Sequence, residues 1–474
     1  MTARRPSEPG DPVPGREEAA DMSTQSYPGH AWLAAAVPAD ARRFRVSDHA
    51  LAHTLVNAGA ELVEESPDVE IAPARQLRGD ATVAIVNLDA PTPDVDSRLR
   101  RAAERLAGSL KVRVEAQAAK ARVRRLGYPE ISTLTWDMAL PIDVDEVPAD
   151  HSVGVAERLP RHAAVVARRS ATGPTVLGAA IKEASDEIGS SVRFDAPSMR
   201  EAVLVAVGDS GVLRIAVGPA RRQLQRQVAA LNELRATRAT ELDPSCISWP
   251  LASGRSGIAD WAIEERLPGT RPEPALPPRV LADCLDFLAA LNSSGPQDGP
   301  SRTPVDDAKL IADFYDGEAT GTIMRLAERL AEELSDLRRG FAHGDFFRGN
   351  LLVDGGRLAG VVDWDAAGPG RLPVLDLLHL RHMGKYLPPD RDWGLTIVQG
   401  LLPWARDGGD ELTRGFCRRL GIEPTEARLE ALALAYWLER LAYQLSTYAD
   451  RTERPVWVER NVDVVVRAVA ARAA

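Results

Sequence analysis

Between about Ala31 and Val192 the chain alternates short apolar runs with stretches whose apolar residues recur at helical spacing. Asp48 to Ala58 predicts a helix, "DATVAIVNL" from Asp80 to Leu88 a buried strand, and Val95 to Leu126 a long helix dense in Arg and Ala. Glu130 to Trp136 ("EISTLTW") has strand character again, and Lys182 falls in a further helical stretch, "LGAAIKEASDEIG". Strands separated by helices of this length predict an α/β layer arrangement. No glycine fingerprint for a dinucleotide or a P-loop occurs in it, so the region shows no legible activity.

After Val192 the period changes. "EAVLVAV" (Glu201 to Val207) and "VLRIAV" (Val212 to Val217) are β-branched runs joined by Gly208, Asp209, Ser210 and Gly211, the turn chemistry of an antiparallel hairpin. Ala220 to Arg235 sets Leu224, Val228, Leu231 and Leu234 at helical spacing, and "GIADWAIEERL" from Gly257 to Leu267 resumes the strand signal. Together these predict a small sheet with one helix against it. Pro268 and Gly269 end it, and from about Val280 the pattern is mainly helical. The expected organisation is a disordered leader over 1–30, an α/β domain over 31–192, a small β-rich lobe over 193–270 and a larger helical lobe over 271–474.

Composition sharpens this only in places. At 474 residues the chain exceeds one hydrophobic core, and no apolar run reaches the ~18 residues that span a bilayer, so a membrane protein is not expected. A formal net charge of -10 argues against a nucleic-acid backbone as the main partner. The basic stretch "RLRRAAERLAGSLKVRVEAQAAKARVRRL" reads as a solvated helix face because acidic residues are interspersed. Cys246, Cys284 and Cys417 are too widely spaced for a disulfide framework or a zinc knuckle, which suits a cytoplasmic protein. The only lysines are Lys111, Lys120, Lys182, Lys309 and Lys385.

The chemistry concentrates in "FAHGDFFRGNLLVDGGRLAGVVDWDAAGPGRLPVLDLLHL", Phe341 to Leu380. Asp345 and Asn350 lie on one loop. A strand over Leu351 to Val353 then turns at Asp354, Gly355 and Gly356 into a second strand, Leu358 to Val362, which ends at Asp363. A tight hairpin brings its two outer ends together, so Asn350 and Asp363 are expected to meet. An Asp, an Asn five positions on and an Asp at a strand end is the arrangement phosphoryl transfer uses: one carboxylate for the incoming hydroxyl, two oxygen donors for divalent metal. Taken singly, His-Gly-Asp can be a turn and Asp363 and Asp365 the polar close of a strand. The joint spacing favours the kinase-like site.

"HGDFFRGN" followed by "VVDWD" resembles the signature of the aminoglycoside phosphotransferase and choline kinase enzymes, over roughly Arg193 to Ala474. The resemblance implies a two-lobed protein-kinase-like fold and cofactors ATP and Mg²⁺. It implies Asp345 as catalytic base and Asn350 and Asp363 as metal ligands, with Asp365 supporting them. His343 either braces the loop or simply packs. Asp376 would be a buried aspartate orienting the loop, and is expected to be structural rather than catalytic.

The chain departs from that pattern where kinases place a lysine on the third strand and a glutamate on the next helix. "VLRIAV" offers Arg214, and the helix offers Gln227, so the usual ion pair is expected to be missing. Arginine keeps the charge but presents a planar fork. Glycine is scarce for a phosphate-covering loop, the best candidate being Gly189 to Ser191. Glu264, Glu265 and the residues to Leu267 resemble the hinge that meets a purine, or else form an edge strand. Three functions follow: an ATP-dependent phosphotransferase acting on a hydroxyl of a sugar, aminoglycoside or amino alcohol; a catalytically weakened binding or regulatory module; and a metal-dependent hydrolase. The acceptor would lie among the helices after Asp376, and residues 31–192 could present a protein-partner surface.

Overall fold

The computed structural model describes residues 31–89, 98–136, 162–170, 172–189, 198–200, 203–209, 211–218, 220–237, 242–272, 276–294, 301–315, 317, 319–383, 392–447 and 455–473; the expected leader lies outside them. A six-stranded sheet comes first, built from β1 (Arg43–Val46), β2 (Glu61–Leu62), β3 (Val69–Ile71), β4 (Val83–Asp89), β5 (Glu130–Trp136) and β6 (His162–Arg168) in the order β2-β1-β3-β4-β6-β5. β1 to β4 run parallel and β6 turns antiparallel. Helix α1 (Leu33–Ala36), α2 (His49–Asn57), α3 (Arg98–Arg125) and α4 (Val176–Glu187) accompany it. Asp48 caps α2 by accepting from the Leu51 N–H, as its position before the first helical residue predicts.

β1 and β3 escape sequence reading because charge interrupts them. Arg45 is nevertheless buried, ion-paired to Glu70 at 3.0 Å and to Asp80. That engagement of Asp80 also explains why β4 begins at Val83, three residues later than the apolar run suggests.

The second sheet has five strands: β7 (Ser198–Arg200), β8 (Val203–Val207), β9 (Gly211–Val217), β10 (Pro250–Ser256) and β11 (Ala259–Glu265), in the antiparallel order β10-β11-β9-β8-β7. The single strand expected over Gly257 to Leu267 is therefore half of a hairpin. Gly257, with φ of 57°, is its turn, and the polar "PLASGRS" forms the preceding strand because alternate residues face solvent. Glu264 lies on a strand paired on both sides, which corrects the edge-strand expectation. Gly189, with φ of 65°, follows the end of α4 rather than joining two strands of the sheet, while Ser190 and Ser191 lie outside the described residues.

Strand alternation splits this sheet into two faces. Leu213, Ile215 and Val217 of β9, with Trp261 and Ile263 of β11, share one hydrophobic core with α1, α4 and the six-stranded sheet. Glu183 on α4 accepts from Ser256 Oγ and from Trp261 Nε1 at 3.0 Å, closing that contact with polar bonds. On the opposite face Ala216 and Ala262 pack against α5 (Ala220–Ala236) through Leu224. Arg214 and Glu264 have the same parity as these alanines and so face α5 and the cleft below.

The remaining residues form a helical lobe around a second core, to which α5 also contributes Ala230, Leu231 and Leu234. Its main helices are α6 (Pro278–Ser293), α7 (Pro304–Phe314), α8 (Thr320–Glu333), α9 (Leu375–His382), α10 (Glu411–Arg419) and α11 (Glu426–Thr447), with further helical turns over 393–406 and 455–473. Tyr436, Trp437 and Trp393 lie in the core. β12 (Gly340–Ala342) pairs with β15 (Gly368–Arg371), and β13 (Leu351–Asp354) with β14 (Arg357–Val361). After β11 the chain runs past this second hairpin, exchanging backbone bonds between Thr270 and Val353 at 2.8 and 3.1 Å.

Candidate active site

Gly355 and Gly356 both have positive φ, the geometry of the tightest hairpin turns, and they set the register of β13 against β14. Leu351 then faces Val361, and the Val362 N–H donates to the Asn350 carbonyl at 2.9 Å. Asn350 and Asp363 therefore meet at the hairpin's open end, as their spacing predicts. Asp363 itself holds φ of 62°, a left-handed conformation a non-glycine residue adopts only under surrounding constraint.

The loop before β13 is held from below. Asp376 on α9 accepts the backbone N–H of His343 at 2.7 Å and of Gly344 at 2.8 Å. Gly344 has φ of 79°, and a Cβ there would lie 2.3 Å from the Ala366 carbonyl oxygen, so only glycine fits. The Asp345 N–H donates to His343 Nδ1 at 3.3 Å, and His343 Nε2 lies 3.0 Å from the Val362 carbonyl. A carbonyl only accepts, so Nε2 carries the proton. His343 is fully buried and burial lowers its pKa, consistent with a neutral ring joining the loop to the strand before Asp363.

Asp345 is met on both oxygens. Oδ1 accepts from Arg440 Nη2 at 3.0 Å and faces His379 Nε2 at 3.1 Å; Oδ2 accepts from Asn350 Nδ2 at 3.1 Å. The side chain is 21% exposed. Burial alone would raise its pKa, yet Arg440 and His379 hold it well below the usual carboxylate range. His379 is pushed down to about 4 by burial and by Arg440, and its Nδ1 lies 2.7 Å from the Tyr436 hydroxyl. Arg440 also donates to the Gly344 carbonyl.

Asp363 is ion-paired with Arg214 across the cleft. Arg214 in turn meets Glu264 Oε1 with Nε at 3.0 Å. The acid expected on the helix and absent there is thus supplied by the neighbouring strand, which corrects the expectation of a missing pair. Gln227, buried on α5, donates to that same Oε1 at 2.5 Å. Burial disfavours the Arg214 charge, but Glu264 and Asp363 raise its pKa nonetheless. Glu265, by contrast, spends its backbone N–H on the Trp249 carbonyl at 2.9 Å.

Asp365 stands apart from Asp345 in its contacts: it accepts from Gln223 on α5 and from the Tyr443 hydroxyl on α11, at 3.3 Å for the latter. Among the described residues no group of three or more His, Cys, Asp or Glu side chains is gathered for a metal ion. A magnesium site does not need one, since one or two carboxylates completed by phosphate and water suffice. The donor chemistry fits: Asn350 spends its amide nitrogen on Asp345, leaving its carbonyl oxygen as donor, and the Asp363 side chain is 34% exposed.

Sequence reading did not find Arg440 and His379. Their signal was present: an arginine and a histidine set among the large apolar residues of "LALAYWLERLAYQL" and "LDLLHLRH" are expected to need partners where they are buried.

Two lobes joined by a hinge, with an Asp-Asn loop and a second Asp delivered by a short hairpin, define the protein-kinase-like class of phosphotransferase folds. Residues 200–432 match the model of the phosphotransferase enzyme family. Among solved structures the chain is similar to the streptomycin–ATP ternary complex of APH(2")-IIa, at 14% identity over 60% of this chain and 94% of that one, with a TM-score of 0.39. It is also similar to a thermostable mutant of aminoglycoside phosphotransferase APH(4)-Ia (22% identity, 61% and 99% covered, TM-score 0.38). A third likeness is to APH(3'')-Id from Streptomyces rimosus (16% identity, 55% and 96% covered, TM-score 0.35). No curated protein matches the chain.

Proposed function

We propose that the C-terminal half is an ATP-dependent phosphotransferase that phosphorylates a hydroxyl of a small polar molecule such as a sugar, aminoglycoside or amino alcohol. One observation carries this reading: Asp345, oriented by Arg440, His379 and Asn350, stands beside the hairpin end where Asn350 and Asp363 meet. The family match supports the same reaction class.

Asn350 through its carbonyl oxygen and Asp363 through its carboxylate would hold Mg²⁺, which when bound neutralises charge on the nucleotide phosphates. Arg214 would add a second cation there. Asp345 remains ionised and accepts a hydrogen bond from the incoming hydroxyl. Its low basicity makes it an orienting group that takes the proton as the new P–O bond forms, which suits a loose transfer with little early proton abstraction. His343 and Asp376 keep the loop in place, and residues 31–192 support the small lobe by covering its outer face.

Screening hydroxyl metabolites for acceptor-dependent ATP consumption identifies the substrate. With it in hand, Asp345→Asn abolishes transfer and spares nucleotide binding; full turnover by that variant overturns the role. The Arg214–Asp363 pair favours a second reading, a catalytically weakened binding module, because the cation expected on phosphate occupies a metal ligand. No nucleotide response at millimolar ATP in calorimetry or thermal shift favours it, and MgATP binding with efficient turnover of an acceptor excludes it.

A further inference from the structure

Arg214 stands between two carboxylates from different lobes: Nη2 reaches Asp363 below the cleft, and Nε meets Glu264 on the adjacent strand. With Asp363 as its sole partner, a guanidinium on a flexible stem would be drawn onto the large lobe. Glu264 opposes that pull. It sits diagonally from Arg214 across the β9–β11 ladder, where Arg214 faces Ala262 and Glu264 faces Val212, a separation long side chains span. Only 2% of Glu264 is exposed, and Gln227 donates to the same oxygen that meets Arg214. The guanidinium is thereby ion-paired through Nε to a strand paired on both sides, while Nη2 reaches Asp363.

We propose that Glu264 is the positioning residue that holds Arg214 for the nucleotide phosphates, with Gln227 as its brace. This rests on the phosphotransferase reading of the site and adds to it a specific source for the anchor. The acid comes from a rigid strand, and helix α5 contributes only a neutral amide. The charge that holds Arg214 thus comes from the strand, and α5 reaches it only through the Gln227 amide.

Charge relocation tests the proposal on the full chain. Wild type, Glu264→Gln, Gln227→Glu/Glu264→Gln and Arg214→Ala are titrated with MgATP by calorimetry, with thermal unfolding of each as a fold check. Glu264→Gln is expected to weaken MgATP binding about tenfold or more. The double variant, which moves the carboxylate to the helix side of the same cluster, is expected to recover to within about threefold of wild type. A purely structural Glu264 would change the unfolding temperature without this rescue. If Glu264→Gln does not fold, the double variant compared with Arg214→Ala carries the test. Wild-type affinity in Glu264→Gln, or a folded double variant as weak as Arg214→Ala, overturns the role of Glu264 alone. No MgATP binding by wild type overturns the underlying reading as well.

Discussion

At the scale of single residues, the protonation of Asp345 is set by its neighbours rather than by its own chemistry. Arg440 and His379 share Oδ1 and keep the carboxylate ionised far below neutrality. Activity in the wild type should therefore lack an acid limb from Asp345 down to about pH 5, since an aspartate with a depressed pKa loses its charge only below its ordinary value of ~3.9. Arg440→Gln removes the largest stabilising charge, so the pKa rises and activity falls as pH drops through it. A pH series of kcat should show the new limb between about pH 4 and 6, together with a loss of roughly 10- to 100-fold at pH 7 from misorientation. An unchanged profile would remove Arg440 from the site. Asp345, Asn350 and Asp363 were legible because turn chemistry and strand length locate them along one short stretch. Arg440, ninety-five positions from Asp345, could not be found that way, and Glu264 was singled out only as a hinge residue and not as the partner of Arg214: both pairings are set by tertiary packing.

Elements position these residues by satisfying backbone groups as much as by side-chain contact. α9 matters because Asp376 accepts the buried N–H groups of His343 and Gly344 in the loop before Asp345, and each lost partner costs about 1–3 kcal/mol. Asp376→Ala should lower unfolding stability by about 2–6 kcal/mol in chemical denaturation. It should also lower kcat more than the nucleotide KM, because the loop rather than the nucleotide cleft loses support. A loss below 1 kcal/mol would mean that water replaces the carboxylate. The long α11 supplies Arg440 and Tyr443 three positions apart, and α5 supplies Gln223 and Gln227 four apart, so each pair lies on one helix face toward the cleft. Elements with strong periodicity were legible in the sequence, among them α2, α5 and the β8–β9 hairpin. β1 and β3 were not, because Arg45 and Glu70 interrupt the apolar run although they are buried together as an ion pair, and β10 was not, because its alternate positions face solvent.

For the whole molecule, the N-terminal sheet and the small lobe share one core, so the kinase-like half is not expected to stand alone. Leu213, Ile215, Val217, Ile258, Trp261 and Ile263 are at most 3% exposed, and removing residues 31–192 would uncover them together. At about 1.5–3 kcal/mol per large apolar side chain, the loss is on the order of 10 kcal/mol, comparable with the total stability of a domain. A chain beginning at Arg193 should be insoluble or lack a cooperative unfolding transition. Soluble protein unfolding at the temperature of the full chain would contradict the shared core. Sequence pattern gave no sign of this contact, because the outer face of β9 and β11 reads as ordinary strand interior.

In the reading proposed for the site, Asn350, Asp363 and Arg214 form one place for a magnesium-bound nucleotide beside Asp345. Calorimetric titration of the full chain with ATP, with and without Mg²⁺, tests it most directly. Saturable binding that weakens at least about tenfold when Mg²⁺ is withheld or Asp363 is replaced by Ala is the predicted result, a change that matches loss of one ligand to a hard cation. No binding at millimolar ATP, or equal affinity in the presence and absence of Mg²⁺, would contradict it.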